Sequence, residues 1–155
     1  MISVQEEDFN VGTEYEQLKA AAGDAGAIVT FTGLVREIYD HGDDRAEPIQ
    51  SLYLEHYPGM TEKSLQTIID SANNKWELLG VRVIHRIGEL KPSDQIVFVG
   101  TCSAHRQSAF DAARYIMDFL KSEAPFWKKQ KTAVDSEWVE SRSSDADAIQ
   151  SWQDN

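Results

Sequence analysis

The chain contains a single cysteine, no apolar run of membrane-spanning length and no excess of basic residues. One cysteine cannot form a disulfide within the chain, and it excludes metal motifs that require a cysteine pair. Crossing a bilayer takes about 20 consecutive, mostly apolar residues, and no stretch approaches that length. Because nucleic acids and anionic membranes are bound by broad basic surfaces, the net charge of −11 argues against both as partners.

Motifs for nucleotides, metals and secretion are also missing. Neither G-x-x-x-x-G-K-[ST] nor G-x-G-x-x-G occurs in the sequence. The 4 histidines have no recognised metal-ligand spacing, so no metal site is predicted. The first residues are acidic and lack the basic and apolar regions of a signal peptide, which predicts a cytoplasmic protein.

Length and hydrophobic patterning predict one α+β domain. The 155 residues show no internal repeat or linker, so a single domain is expected over 1–155, with a C-terminal tail that is flexible after about residue 143. Short turns between strands, with two main helices inserted, indicate a mixed, mainly antiparallel sheet. By apolar periodicity, strands are expected at 27–36, 51–57, 81–88, 95–102 and 137–140, and helices at 14–22, 61–76 and 105–124.

The stretch from Ser103 to Lys131 stands out because it is locally cationic. From His105 onward, six basic and three acidic side chains give it a net charge of +3 within a chain of net −11. A cationic island on an acidic protein predicts a small anionic ligand. His105 and Arg106 fall at the predicted helix start, where free backbone N–H groups favour an anion. Arg36, at the end of a predicted strand, is a second candidate of the same kind.

Two lysines near the end of this helix each allow a structural and a functional interpretation. Lys121 borders the predicted apolar stripe, where it either extends its amine to water at the helix C-terminus or is a partly desolvated amine with a lowered pKa. The second form suits an acid, base or nucleophile. Lys128 follows Phe126 and Trp127. These two rings either exclude water from the Lys128 ammonium group or simply anchor the chain in the core. The predicted stripe consists of Ala109, Phe110, Ala113, Ile116, Met117 and Leu120.

Cys102 and His105 have the C-x-x-H spacing of a possible Cys–His nucleophile. Cys102 also ends a nearly continuous apolar strand, and a buried cysteine usually behaves as a small hydrophobic residue. The second interpretation is favoured. Alkylation of the native protein separates the two, because a thiol in the core reacts slowly.

Several sequence blocks together resemble the large, catalytic subunit of molybdopterin synthase, the MoaE family. The resemblance extends from about Phe9 to Arg142, and the blocks follow the family's order. Many members have a lysine at position 34, where this chain has Leu34, and residues 38–49 diverge locally. The blocks are FTGLVR (31–36), LEHYPGMTEKSL (54–65), VIHRIGEL (83–90), SAHR (103–106), YIMDFLK (115–121) and APFWKK (124–129).

The resemblance implies a sulfur-transfer enzyme with an α/β hammerhead-type fold. Family members convert cyclic pyranopterin monophosphate to molybdopterin by building its dithiolene. The sulfur arrives as a thiocarboxylate on the C-terminal Gly-Gly tail of a small ubiquitin-like subunit, so no cofactor is expected in this subunit. The family's large subunit forms a homodimer at the centre of a heterotetramer. A rival interpretation is a dimeric scaffold that binds the small subunit without turnover, against which the retained cationic residues weigh.

The resemblance also implies roles for individual residues. Lys121 and Lys128 match the family's two catalytic lysines. The positions that match its substrate-binding residues are Arg36, His105, Arg106, Lys129, Leu34, Val35, Phe31, Met117 and Arg142.

The length of the predicted helix separates these residues into two groups. His105 and Lys121 are sixteen positions apart, which in a straight helix places them about 24 Å apart. One small pterin cannot contact both ends within a single chain. A two-fold dimer can bring the two ends together in one site shared by two subunits. One subunit is expected to contribute Lys121, Lys128 and Arg36, and its mate is expected to contribute His105, Arg106 and Arg142.

Overall fold

The computed structural model describes residues 1–37, 49–132, 136–139 and 143–153, which form two four-stranded sheets and four helices. This confirms the α+β class with a mixed, mainly antiparallel arrangement. The elements are β1 (Ile2–Gln5), α1 (Val11–Ala21), β2 (Ala27–Leu34), β3 (Ile49–His56), α2 (Met60–Lys75), β4 (Leu78–Arg86), β5 (Gly88–Leu90), β6 (Gln95–Ser103), α3 (Arg106–Glu123), β7 (Phe126–Thr132), β8 (Ser136–Val139) and α4 (Ser143–Gln153).

The first sheet has the strand order β1-β4-β6-β2, and helices cover both of its faces. Only β1 and β4 pair in parallel, and β6 is antiparallel to both of its neighbours. Side chains along β6 alternate between the faces. Thr101 points to α3, where its hydroxyl donates to the Ala109 carbonyl at 2.7 Å, while Gly100 lies under Leu18 of α1. The main core lies on the α3 face and includes Val97, Val99, Ile116 and Leu120.

The second sheet is antiparallel throughout, in the order β5-β3-β7-β8. One of its two inner strands, β7, was not predicted, because its lysines hide the alternation of faces. The short strand predicted at 137–140 is confirmed as β8. A single strand was predicted at 81–88, but the structure divides it between β4, which ends at Arg86, and β5, which begins at Gly88. The φ of Gly88 is 82°, in the left-handed region.

Helix α3 runs without interruption for 18 residues and packs small side chains against the first sheet. Its buried positions include Ala109, Ala113 and Ile116, three or four residues apart. The placement of Phe110 in this stripe was wrong, because Phe110 lies about 100° around the helix from Ala109 and is 60% exposed. The helix ends at Ala124, whose extended backbone is the conformation favoured before a proline.

Helix α4 lies against the core helices through Trp152. The Trp152 ring packs edge-on against Trp76 and Tyr115, and its indole N–H donates to Asp118 Oδ2 at 2.6 Å. The guanidinium of Arg114 lies 5.4 Å from the Trp152 ring. The single domain and the flexible tail after about residue 143 stay predictions.

Candidate active site at the two ends of helix α3

The N-terminal end of α3 has no acidic residue in its first turn and carries two exposed basic residues. His105 is the N-cap and makes no side-chain capping hydrogen bond, and the first turn contains no acidic residue. The side chains of His105 and Arg106 are both exposed. Free N–H groups of the first turn and the helix dipole favour an anion here, and the two side chains add to that preference. This end can therefore hold a phosphate or carboxylate group.

The turn that presents His105 is fixed from two sides. A Cβ on Gly26 would lie 2.1 Å from the Ala104 carbonyl oxygen, so the two backbones approach more closely than any side chain allows. The Gly26 amide donates to Ser103 O at 3.0 Å, and the buried Ser103 hydroxyl donates to Glu77 O at 3.0 Å. Sequence inspection missed Gly26 as a site-supporting residue, since its role depends on a neighbour that is distant in the chain.

The second end of α3 carries Lys121 in its last turn. Lys121 follows the buried Leu120 and lies one turn after the half-buried Met117, yet its own side chain is exposed. The interpretation of Lys121 as a desolvated amine therefore requires a surface from another molecule. Lys128 is on β7, opposite Leu54 of β3 and Val139 of β8. The next residue, Lys129, pairs with Tyr53 of β3 and Trp138 of β8.

Strand β2 brings Arg36 to the Lys121 end of α3. The register pairs Ala27 with Ser103 and Leu34 with Gln95, so the end of β2 lies beside the start of β6. The Thr101 bond ties the end of β6 to the start of α3, so the helix runs back toward that strand's first residues. Arg36 and Lys121 therefore share one end of the sheet, and His105 lies at the other. About 24 Å separates the helix ends, as expected from the helical rise.

The remaining β2 candidates differ in what they can contact. Phe31 and Leu34 are 42% and 55% exposed on an edge strand of the first sheet. Val35 is buried, with its amide and carbonyl bonded to Asp94 O and Ser93 N. It therefore anchors the adjacent, exposed Arg36. Arg142 lies outside the described residues, as do the side chains of Lys128 and Lys129.

The Cys–His alternative is contradicted by the position of Cys102. Its thiol is fully buried, and burial raises the pKa of the Cys102 thiol. It packs in a cluster with Leu18 and Phe98 on the α1 face, whereas His105 begins the helix that covers the other face. This thiol cannot serve as the partner of His105.

Within the part of the chain that the structure describes, no group of three or more His, Cys, Asp or Glu side chains is placed to hold a metal ion. Over those same residues, no helix has both the length and the apolar character needed to cross a membrane.

Comparison with known proteins adds a family and a set of related structures. A molybdopterin synthase catalytic subunit from Vibrio cholerae is 55% identical over 98% of this chain and 97% of its own length. The structure of the molybdopterin cofactor biosynthesis protein E from Burkholderia multivorans is 42% identical and has a TM-score of 0.81, covering 99% of this chain and 96% of that one.

A more distant structure confirms the fold alone. It is a complex of subunits 1 and 2 of molybdopterin-converting factor from Helicobacter pylori, 20% identical, with a TM-score of 0.70 and 92% of each chain covered. The model of the family described as MoaE protein matches residues 4–123. The chain therefore belongs to the MoaE family.

Proposed function

We propose that this chain is the catalytic subunit of a molybdopterin synthase. It transfers sulfur from the C-terminal thiocarboxylate of a small ubiquitin-like subunit to cyclic pyranopterin monophosphate, and the product is the molybdopterin dithiolene. The observation that carries the proposal is the 55% identity, over 98% of this chain, to a relative named molybdopterin synthase catalytic subunit. The cationic groups at both ends of α3 support it, because the substrate carries a phosphate. The reaction is proposed to occur in the cytoplasm, with no cofactor in this subunit.

The two ends of α3 have different tasks in this proposal. Lys121 and Lys128 supply and remove protons and stabilise anionic intermediates while the acyl-thiol tail lies beside the pterin. His105 and Arg106 bind the phosphate end of the substrate, and Arg36, at the Lys121 end, makes a further contact with the substrate. Cys102 takes no part, since the partner supplies the sulfur. The further substrate contacts are proposed from Lys129, Leu34, Phe31, Met117 and Arg142, and Val35 acts by anchoring Arg36.

A homodimer is proposed because one chain does not bring these groups together. The helix holds His105 and Lys121 about 24 Å apart, which exceeds the reach of one small pterin. A two-fold axis places the His105 end of one subunit at the Lys121 end of its mate. In the single chain β2 is an edge strand with exposed Phe31 and Leu34, a surface that an interface would cover. Arg142 of the mate is assigned to the same shared site.

The direct test is reconstitution from purified components. The chain is incubated with cyclic pyranopterin monophosphate and the thiocarboxylated small subunit, and molybdopterin is measured as its fluorescent oxidation product. Formation of molybdopterin is expected, and a small subunit that lacks its last two residues serves as the inactive control. Absence of product with an intact, thiocarboxylated partner would refute the proposal.

A further inference from the structure

The short link between α3 and β7 joins the two proposed catalytic lysines. Lys121 belongs to the last turn of α3, and Lys128 is the third residue of β7. Only Ala124 and Pro125 separate the two elements. A change in the backbone direction of this link therefore displaces one lysine relative to the other.

Thr61 holds the link through its hydroxyl group. The side chain is fully buried, and its Oγ1 donates to the Pro125 carbonyl at 3.0 Å. The same oxygen accepts a hydrogen bond from the Tyr57 amide at 3.1 Å. Thr61 thus joins the link to the turn between β3 and α2. The N-cap of α2 is Gly59, whose amide donates to the Glu62 carboxylate at 2.6 Å.

His85 holds the other side of the link through a ring stack. Its imidazole lies 3.9 Å from the Phe126 ring, centroid to centroid, with an angle of 22° between the planes. His85 is buried, and its Nδ1 lies 2.8 Å from the Arg86 carbonyl oxygen. A carbonyl only accepts, so Nδ1 carries the proton and the ring orientation is fixed. The stack connects β4 of the first sheet to β7 of the second.

We propose that Thr61 and His85 are positioning residues that set the placement of Lys128 relative to Lys121. This inference rests on the proposed function. Neither side chain is exposed enough to contact substrate, so both act through Pro125 and Phe126. The Phe126 amide, which donates to Ala124 O at 3.0 Å, adds a third constraint on the same turn. Reacting groups misplaced by about 1 Å lose roughly 100-fold in rate, so the contacts of Thr61 and His85 with the link should affect turnover more than binding.

The kinetic test compares substitutions that keep or remove each contact. Thr61→Val removes both hydroxyl bonds and is expected to lower kcat by about 10-fold to 100-fold, with KM for the pterin changed by less than about 3-fold. Thr61→Ser keeps the hydroxyl and is expected to restore kcat to within about 3-fold. His85→Phe keeps a stacked ring and is expected to lose less kcat than His85→Ala.

Thr101→Val is the matched control, because Thr101 is also fully buried and also donates to a backbone carbonyl. It should show a similar fall in Tm with nearly normal kcat. A normal kcat in folded Thr61→Val would overturn the positioning role. So would an equal loss of kcat in Thr101→Val, since stability alone would then explain the effect.

A second measurement decides the positioning role without turnover. Spin labels are attached to Lys121→Cys and Lys128→Cys in a Cys102→Ala background, and the label–label distance is measured by electron paramagnetic resonance. Adding Thr61→Val should broaden or shift the distance distribution, whereas adding Thr101→Val should not. An unchanged distribution would overturn the inference. If the wild-type chain makes no molybdopterin, the proposed function fails. The spin-label comparison still decides whether Thr61 and His85 set the distance between positions 121 and 128.

Discussion

Replacing Gly26 by alanine tests how strictly the turn before α3 must be placed. The new Cβ would lie 2.1 Å from Ala104 O, whereas real Cβ contacts essentially never fall below 3.0 Å. The carbonyl must therefore move by roughly 1 Å. His105 and Arg106 directly follow Ala104 in the chain, so the proposed phosphate site moves with this carbonyl. The contact is with backbone, so no side-chain rotation can relieve it.

The expected energy cost of Gly26→Ala is large enough to weaken substrate binding but too small to unfold the protein. Overpacking of this kind costs about 1–3 kcal/mol, less than the 5–15 kcal/mol stability of typical domains, so Gly26→Ala should remain folded. A displacement of about 1 Å in the anion-binding groups should raise KM for the pterin by about 10-fold to 100-fold. We expect kcat to change little, because the phosphate is bound similarly in the ground and transition states.

Steady-state kinetics with varied pterin and saturating small subunit measures both constants. Gly80→Ala is the matched control, since its Cβ would meet the nearest atom, Cys102 Sγ, at an ordinary 3.5 Å. Gly80→Ala should keep a normal KM. A folded Gly26→Ala protein with wild-type KM would show that the turn tolerates the shift, or that the phosphate binds elsewhere.

Three further outcomes are expected. Lys121→Ala and Lys128→Ala should each reduce single-turnover sulfur transfer by about 100-fold, the usual scale for a positioned acid or base, and normal turnover in either variant would remove that lysine from the mechanism. Lys121→Ala and Arg106→Ala subunits are each expected to be inactive alone, but their mixed dimers should regain a fraction of wild-type activity, because one shared site is intact. Mixed dimers that form but stay inactive would contradict the shared site. Iodoacetamide should modify Cys102 slowly in the native protein and rapidly in urea, since burial raises the pKa of this thiol and blocks access, and fast native labelling would argue against a core position.

Local patterns predicted the elements whose apolar residues repeat regularly. The β-branched strand from Ala27 and the apolar strand ending at Cys102 are both present, because each packs at least one face against a helix. Strand β7 escaped prediction because Phe126 and Trp127 are followed by a lysine-rich run. Its pairing with β3 and β8 is a long-range property that lysine content does not reveal.

Candidate residues for the site could be named from the sequence, but the contacts that support them could not. The sequence and its family resemblance name His105, Arg106 and Lys121 as candidates, and helix length alone indicates that Lys121 lies far from the other two. The supports of the site were not predictable, since Gly26 depends on Ala104 and Thr61 depends on Pro125. Each of these pairs is distant in sequence and meets only when the sheets and helices have assembled.

The docking of Trp152 gives the wild-type chain a built-in optical probe. Its ring centroid lies 5.9 Å from that of Trp76 and 5.5 Å from that of Tyr115, close enough for the aromatic transitions to couple. Release of α4 would separate these rings and break the indole bond to Asp118. Near-ultraviolet circular dichroism and tryptophan emission should then report attachment and release of the C-terminal helix in real time, without any label.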